Sequence, residues 1–229
     1  MANIRSIAET GSTNDDLAAL ATAGAPEGLW LRADRQIGGK GRQGRAWQSP
    51  PGNLYASTLV RLQPGDPSAA TLALVAAVAL HEAVQPEAPA ATIKWPNDLL
   101  VDGAKLAGIL LERQGDAVVI GFGVNLAFHP VLADRPATSL KALAGRAPSP
   151  HFFLARLAPI FQAWLDRWRA EGLAPVRAAW CAAAHPVGTP IAAGDLRGVF
   201  DGLEESGALR LRLAGGGTRI IHAGDVFLI

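Results

Sequence analysis

Cysteine is almost missing: Cys181 is the only one in 229 residues. A single thiol can form no intramolecular disulfide and no thiolate cluster for a metal. That usage fits a reducing compartment, and we expect a cytoplasmic protein. Long apolar runs are also missing. The most apolar, residues 72–80, is too short to span a bilayer and leads into His81 and Glu82. The opening MANIRSIAET carries neither the apolar stretch nor the cleavage signature of a secretion signal. No excess of one charge exists: 21 Lys and Arg face 20 Asp and Glu, a net +1. This balance gives no general reason to expect a nucleic-acid or membrane partner. Metal-ligand clusters are absent from the pattern too. His81, His129, His151, His185 and His222 are scattered, with no pair at helical or ribbon spacing. We therefore expect no protein-held metal.

What remains is an ordinary globular composition, 49% hydrophobic and 18% charged, which excludes disorder. The length suits one large domain or a domain and a half. Ser12 or Thr13 is a natural N-cap for a helix carrying Leu17 and Leu20, with Asp15 and Asp16 in its acidic first turn. Residues 29–33 and 53–62 read as strands, and 35–45 as a loop. Residues 71–84 are almost uniformly apolar, as in a buried helix. Short strands follow at 91–95, 99–101, 106–112 and 117–124, with turns at Asp102-Gly103 and Gln114-Gly115-Asp116. Residues 151–170 form an amphipathic helical region that Pro159 should kink or divide. Its Phe152, Phe153, Phe161, Trp164 and Trp168 are expected in the core. Residues 175–184 suit one more helix. From Pro186 onward, short apolar runs alternate with Gly-Asp, Asp-Gly and triple-glycine turns, the texture of a small all-β module.

The strongest local feature is the stretch 35–45, Arg-Gln-Ile-Gly-Gly-Lys-Gly-Arg-Gln-Gly-Arg, followed by Ala46 and Trp47. Four cations and four glycines share eleven positions of a nearly neutral protein. Glycines let backbone amides approach an anion, Arg offers a forked donor for carboxylate or phosphate, and Lys a compact charge. Anion binding fits this interleaving better than a solvated turn. Gly39, Gly41 and Gly44 match a dinucleotide-binding spacing, but Ser49-Pro50-Pro51-Gly52 follows where a helix must open, so that reading fails. Gly39-Lys40 is no P-loop, because residue 41 is Gly.

A second group is Lys94-Trp95-Pro96-Asn97-Asp98 with Lys105-Leu106-Ala107-Gly108-Ile109. If the flanking strands pair, Asn97, Asp98 and Lys105 come together at strand ends. A third is Gly121-Phe122-Gly123-Val124-Asn125. Glycine inside a strand marks the close approach of a ligand or another backbone.

These pieces, in this order and together with Ser12-Thr13-Asn14 and Ala137-Thr138-Ser139-Leu140, resemble the biotin protein ligase family. The glycine/arginine loop and the Lys-Trp-Pro-Asn-Asp run are the specific motifs. The resemblance spans about residues 8–180, and the β-rich tail is similar to the family's small SH3-like C-terminal domain. It implies an α+β fold: a mixed, mainly antiparallel sheet with helices, like class II synthetases and lipoate ligases, plus a small β-barrel. The implied division is a biotin/ATP-binding catalytic domain over 1–184 and a β-barrel domain over 185–229. The chain reaches Ser12 too soon for the N-terminal helix-turn-helix domain of about 60 residues that some members carry, so operator binding is not expected.

The implied chemistry is ATP-dependent. Biotin and ATP form biotinyl-5′-AMP, and a lysine of a biotin carboxyl carrier protein then displaces AMP. Ser12, Thr13, Asn14 and Gln36 would line the biotin head-group pocket, with Lys40, Gly41 and Arg42 folding over it. Arg42, Arg45, Trp47, Asn97 and Asn125 would meet ATP and the adenylate. Lys105 would contact both the biotin carboxylate and the α-phosphate. Lys105, Arg42 and Asp98 are the expected catalytic residues, Asp98 orienting or deprotonating the acceptor lysine. Mg²⁺ is expected to ride on phosphate oxygens. Lys40 stands where many members have Arg, which keeps the charge and loses the fork. The alternatives are a lipoate or octanoate ligase, which lacks the loop in this form, and a non-catalytic biotin or nucleotide sensor. The expected partner is the carrier protein, with the ligase itself a monomer or homodimer. Loop 38–45 is expected to be mobile until an anion quenches the repulsion among its cations.

Overall fold

The computed structural model of the chain describes residues 3–131 and 136–228. The element order is β1 (Asn3–Thr10), α1 (Thr13–Thr22), β2 (Leu29–Gln36), β3 (Leu54–Arg61), α2 (Leu72–Val84), β4 (Thr92–Lys94), β5 (Asp98–Val101), β6 (Ala104–Gln114) and β7 (Ala117–Val124). Then come α3 (Leu140–Ala144), α4 (Pro150–Glu171), α5 (Leu173–Ala183), β8 (Pro190–Ala193), β9 (Leu196–Leu203), β10 (Leu209–Leu213), β11 (Thr218–Ile221) and β12 (Val226–Leu228). Seven strands form one sheet in the order β1-β2-β3-β7-β6-β5-β4. Only β1 and β2 run parallel in it; the other neighbours are antiparallel. The last five strands make an antiparallel sheet, β11-β10-β9-β8-β12.

The period-two alternation of a strand divides the large sheet into two unlike faces. Trp30, Leu54, Ala56, Val60, Ile120, Phe122 and Val124 point to the main core, together with α2, α4 and α5. There Trp30, Phe122 and Phe161 pack with ring centroids 5.5–5.9 Å apart. On the other face, Leu29, Leu31, Leu59 and Val119 pack against Leu17 and Ala21 of α1. Farther along this second face the same parity brings Tyr55, Ser57, Gly108, Gly121 and Gly123. Gly108 is paired with Gly123, and Leu110 with Gly121. The large side chains therefore stop where α1 begins, and small and polar ones leave an open cleft beyond its N-terminus.

One strand went unassigned in the sequence, and two local expectations need correction. Residues 3–10 form a strand that shows little apolar pattern, because it lies at the sheet edge with most positions exposed. Pro159 does not divide α4, which runs unbroken for 22 residues. Phe153, Leu154, Leu157, Phe161, Leu165 and Trp168 lie buried on both sides of the proline, and this continuous apolar stripe offsets one lost helical hydrogen bond. Phe152, expected in the core, is 73% exposed. Among the described residues, no helix is long and apolar enough to cross a membrane.

Candidate active site

The cleft is bounded by the N-terminus of α1, the glycine loop after β2, the β4–β5–β6 strand ends and the beginning of β12. Ser12, Thr13, Asn14, Gln36, Lys40, Gly41, Arg42, Arg45, Trp47, Asn97, Asp98 and Lys105 all line it. Asn125 does not. Its amide donates to the carbonyls of Thr138 at 3.0 Å and Lys105 at 3.4 Å, so it fastens the strand behind Lys105.

One wall is a hydroxyl–amide network. Ser57 Oγ lies 2.6 Å from Asn14 Oδ1, an oxygen with no proton, so Ser57 donates. The Thr13 hydroxyl has two acceptors in reach of its one proton, Ser57 Oγ at 2.7 Å and Gln36 Oε1 at 3.1 Å. Gln36 Oε1 accepts from the Thr13 amide at 2.9 Å, while Gln36 Nε2 donates to Ser49 Oγ at 3.1 Å. Asn14 Nδ2 completes the chain by donating to Glu112 Oε2 at 2.7 Å. Ser12, Thr13 and Asn14 are buried, and Ser57 is fully buried. Groups fixed in this way present donors and acceptors in set directions. Asn14 fits only because residue 121 is Gly; a Cβ there would collide with its side-chain oxygen.

The opposite wall is ionic. Lys105 Nζ stands 2.7 Å from Asp98 Oδ1, and Lys94 Nζ 3.4 Å from Asp98 Oδ2. The register explains this. Asp98 starts β5, which hairpins onto β6 with Leu100 opposite Lys105. Asn97 Nδ2 donates to the Ile109 carbonyl, and its Oδ1 accepts from Arg42 Nη1 at 3.3 Å, so the glycine loop is tied to the hairpin. Burial lowers the pKa of the Arg42 guanidinium from its usual value, and the nearby Asp98 charge opposes that shift; Arg stays cationic regardless. Lys40 pairs with Asp15 at 2.7 Å, and that hydrogen bond raises the pKa of the lysine.

Trp47 is the platform between the two walls. Its ring lies over the Gly108–Gly123 pair, and Lys105 Nζ sits 5.4 Å from a ring centroid. Its indole nitrogen is buried and has no hydrogen-bond partner among the described residues. The amides of Gly38 and Gly41 are already bonded, to the Gly11 and Arg45 carbonyls. Sequence reasoning assigned no role to Lys94, Ser49, Ser57, Glu112 or Asp225. Lys94 stood in a quoted motif; Asp225 sits in an unremarkable Gly-Asp turn, 180 positions from Arg45.

A helix terminus rich in neutral polar groups thus faces a cationic loop across a small-residue floor. The Biotin/lipoate A/B protein ligase family matches residues 9–125, and the Biotin protein ligase C terminal domain matches residues 190–229. The chain is 41% identical to the biotin–[acetyl-CoA-carboxylase] ligase of Paracoccus denitrificans, over 96% of this chain and 98% of that one. It is 37% identical to the protein of that name from Mycobacterium tuberculosis, over 96% and 86%. The Aquifex aeolicus biotin protein ligase solved with biotin and ATP shares the fold at TM-score 0.89 and 24% identity, over the full length of both chains. The Leishmania major biotin protein ligase solved with biotinyl-5-AMP aligns at TM-score 0.69 and 27% identity, over 96% of this chain and 99% of that one. The chain belongs to the biotin protein ligase family.

Proposed function

We propose that this chain activates biotin with ATP as biotinyl-5′-AMP and transfers it to a lysine of a biotin carboxyl carrier protein. One observation carries this reading: a single cleft joins the Thr13–Gln36–Asn14 network to the Arg42, Arg45, Lys94 and Lys105 cations. A ureido ring has two N–H donors and one strong acceptor, which the buried hydroxyls and amides can satisfy. The carboxylate at the far end of biotin and the α-phosphate repel each other in water, and fixed cations are what bring two anions together.

In the first step a biotin carboxylate oxygen attacks the α-phosphorus and pyrophosphate leaves with the bond electrons. Lys105 stabilises the charge shared by the carboxylate and the phosphoryl oxygens. Arg42 and Arg45 hold phosphates, and the Trp47 face carries the adenine. In the second step the neutral amine of the carrier lysine attacks the acyl carbon and AMP leaves. Asp98 orients Lys105 and is assigned the orienting or deprotonating of the incoming lysine. Mg²⁺ enters as part of MgATP. Both acidic side chains of the cleft wall, Asp98 and Asp225, are flanked by two cations each and offer no free carboxylate for a dedicated metal site.

The test is incubation with MgATP, a carrier domain and radiolabelled biotin, with lipoate in parallel. Covalent label on the carrier from biotin alone is expected. Label from lipoate alone would move the chain to a different substrate, and retained biotin without transfer would make it a sensor.

A further inference from the structure

The cations of the glycine loop are not left to repel one another. Arg42 and Arg45 converge on one carboxylate, that of Asp225, immediately before β12. Asp225 Oδ1 lies 3.4 Å from Arg42 Nη1, and Oδ2 pairs with Arg45 Nη2. Arg42 Nη2 also donates to the Gly224 carbonyl at 3.0 Å. One residue farther along, the Val226 carbonyl accepts from Lys94 Nζ at 2.9 Å, and the Phe227 ring lies 5.7 Å from that ammonium. Residues 224–227, at and just before β12, thus hold three cations of the cleft, Arg42, Arg45 and Lys94. The Asp225 side chain is only 19% exposed, so solvent screens the cluster weakly.

We propose that Asp225 is a positioning residue for the adenylation step. Each of its oxygens takes a different guanidinium, which sets Arg42 and Arg45 side by side at the cleft. The phosphates then meet a preformed pair instead of a loop that must be ordered at binding. The physical reason is twofold. A loop this rich in glycine loses much entropy on ordering. Two guanidiniums without a shared counter-charge would also separate. Asp15 cannot take over this role, since it is engaged with Lys40. The inference rests on the reading of the loop cations as phosphate ligands.

The experiment compares wild type with Asp225→Asn and Asp225→Glu. Limited trypsin digestion of the free protein reads loop order, since cleavage after Arg42 or Arg45 needs an unfolded loop. Steady-state pyrophosphate release reads the KM for ATP. For Asp225→Asn we expect faster loop cleavage and a KM for ATP raised about tenfold, the loss of one charge-assisted contact. The affinity for biotin alone and the melting temperature should hold. Asp225→Glu should restore most of both properties. An unchanged KM overturns the proposal. A lowered KM also overturns it, since it would make Asp225 a competitor of phosphate. Biotin affinity and melting temperature falling together would show a merely structural role. Trypsin digestion needs no nucleotide, so absence of pyrophosphate release in wild type would reject the functional reading separately.

Discussion

Trp47 lies across Gly123 so closely that a Cβ on residue 123 would stand 2.7 Å from indole Cε2 and 2.9 Å from Nε1. The glycine exists for the ring. Gly123→Ala must therefore tilt Trp47 off its floor. We expect a KM for ATP raised about tenfold by the loss of stacking, with biotin affinity changed far less, because Thr13 and Gln36 lie on the other wall. Separate titrations of the two substrates check this. Equal losses for both would mean that the sheet itself has been distorted.

In the proposed reaction Lys105 is the cation that both reacting anions share. Lys105→Ala should lower the rate of adenylate formation by about 10²–10³-fold, the usual cost of one preorganised donor at developing charge. The substitution also leaves Lys94, at 3.4 Å, as the ion-pair partner of Asp98 among the described residues. Rapid-quench measurement of the first turnover is the check. A variant that kept the full ligation rate would remove Lys105 from the mechanism.

Arg42 links the loop to Asn97, Gly224 and Asp225 at once. Arg42→Gly should loosen the hold on the adenylate and leave a loop with one fewer anchor. The expected result is faster dissociation of biotinyl-5′-AMP, by about tenfold or more. A filter assay of retained adenylate over time measures it directly, and an unchanged dissociation rate would refute this role.

Stability should fall on mild acidification. Burial lowers the pKa of His81 and His185 below the ordinary 6.5, and for His185 the Lys94 charge adds to the shift. The unfolded chain binds these protons first, so unfolding is favoured as pH drops below 6.5 toward the folded values. Full stability is present above that range. Melting temperatures recorded between neutral and mildly acid pH should decline, and His185→Gln should flatten part of the slope. A pH-independent melting temperature would show that these rings keep their ordinary pKa in the folded state.

Much of the site was legible because its motifs are local. The acidic first turn predicts the α1 helix, and the Asp102-Gly103 turn predicts the hairpin that brings Lys105 to Asp98. The glycines of β7 announced a close approach; the partners turned out to be the side chains of Asn14 and Trp47. What stayed hidden depends on pairing between distant segments. The β1 strand pairs in parallel across an intervening helix, with no turn to signal it. The short α3 helix depends on a Ser139 cap and a single buried leucine. The clasp at Asp225 joins the loop to the penultimate turn of the chain. The sequence led to the expectation of a loop mobile until an anion arrives; the structure places carboxylates of the chain itself, Asp15 and Asp225, against Lys40, Arg42 and Arg45.

If the proposed function holds, this cleft couples biotin to a nucleotide. The most direct measurement is mass spectrometry of the small molecules held by the protein after incubation with biotin and MgATP, with no carrier present. The expected result is biotinyl-5′-AMP retained by the protein, with pyrophosphate released in equal amount. Biotin recovered unmodified, with ATP intact, would contradict it.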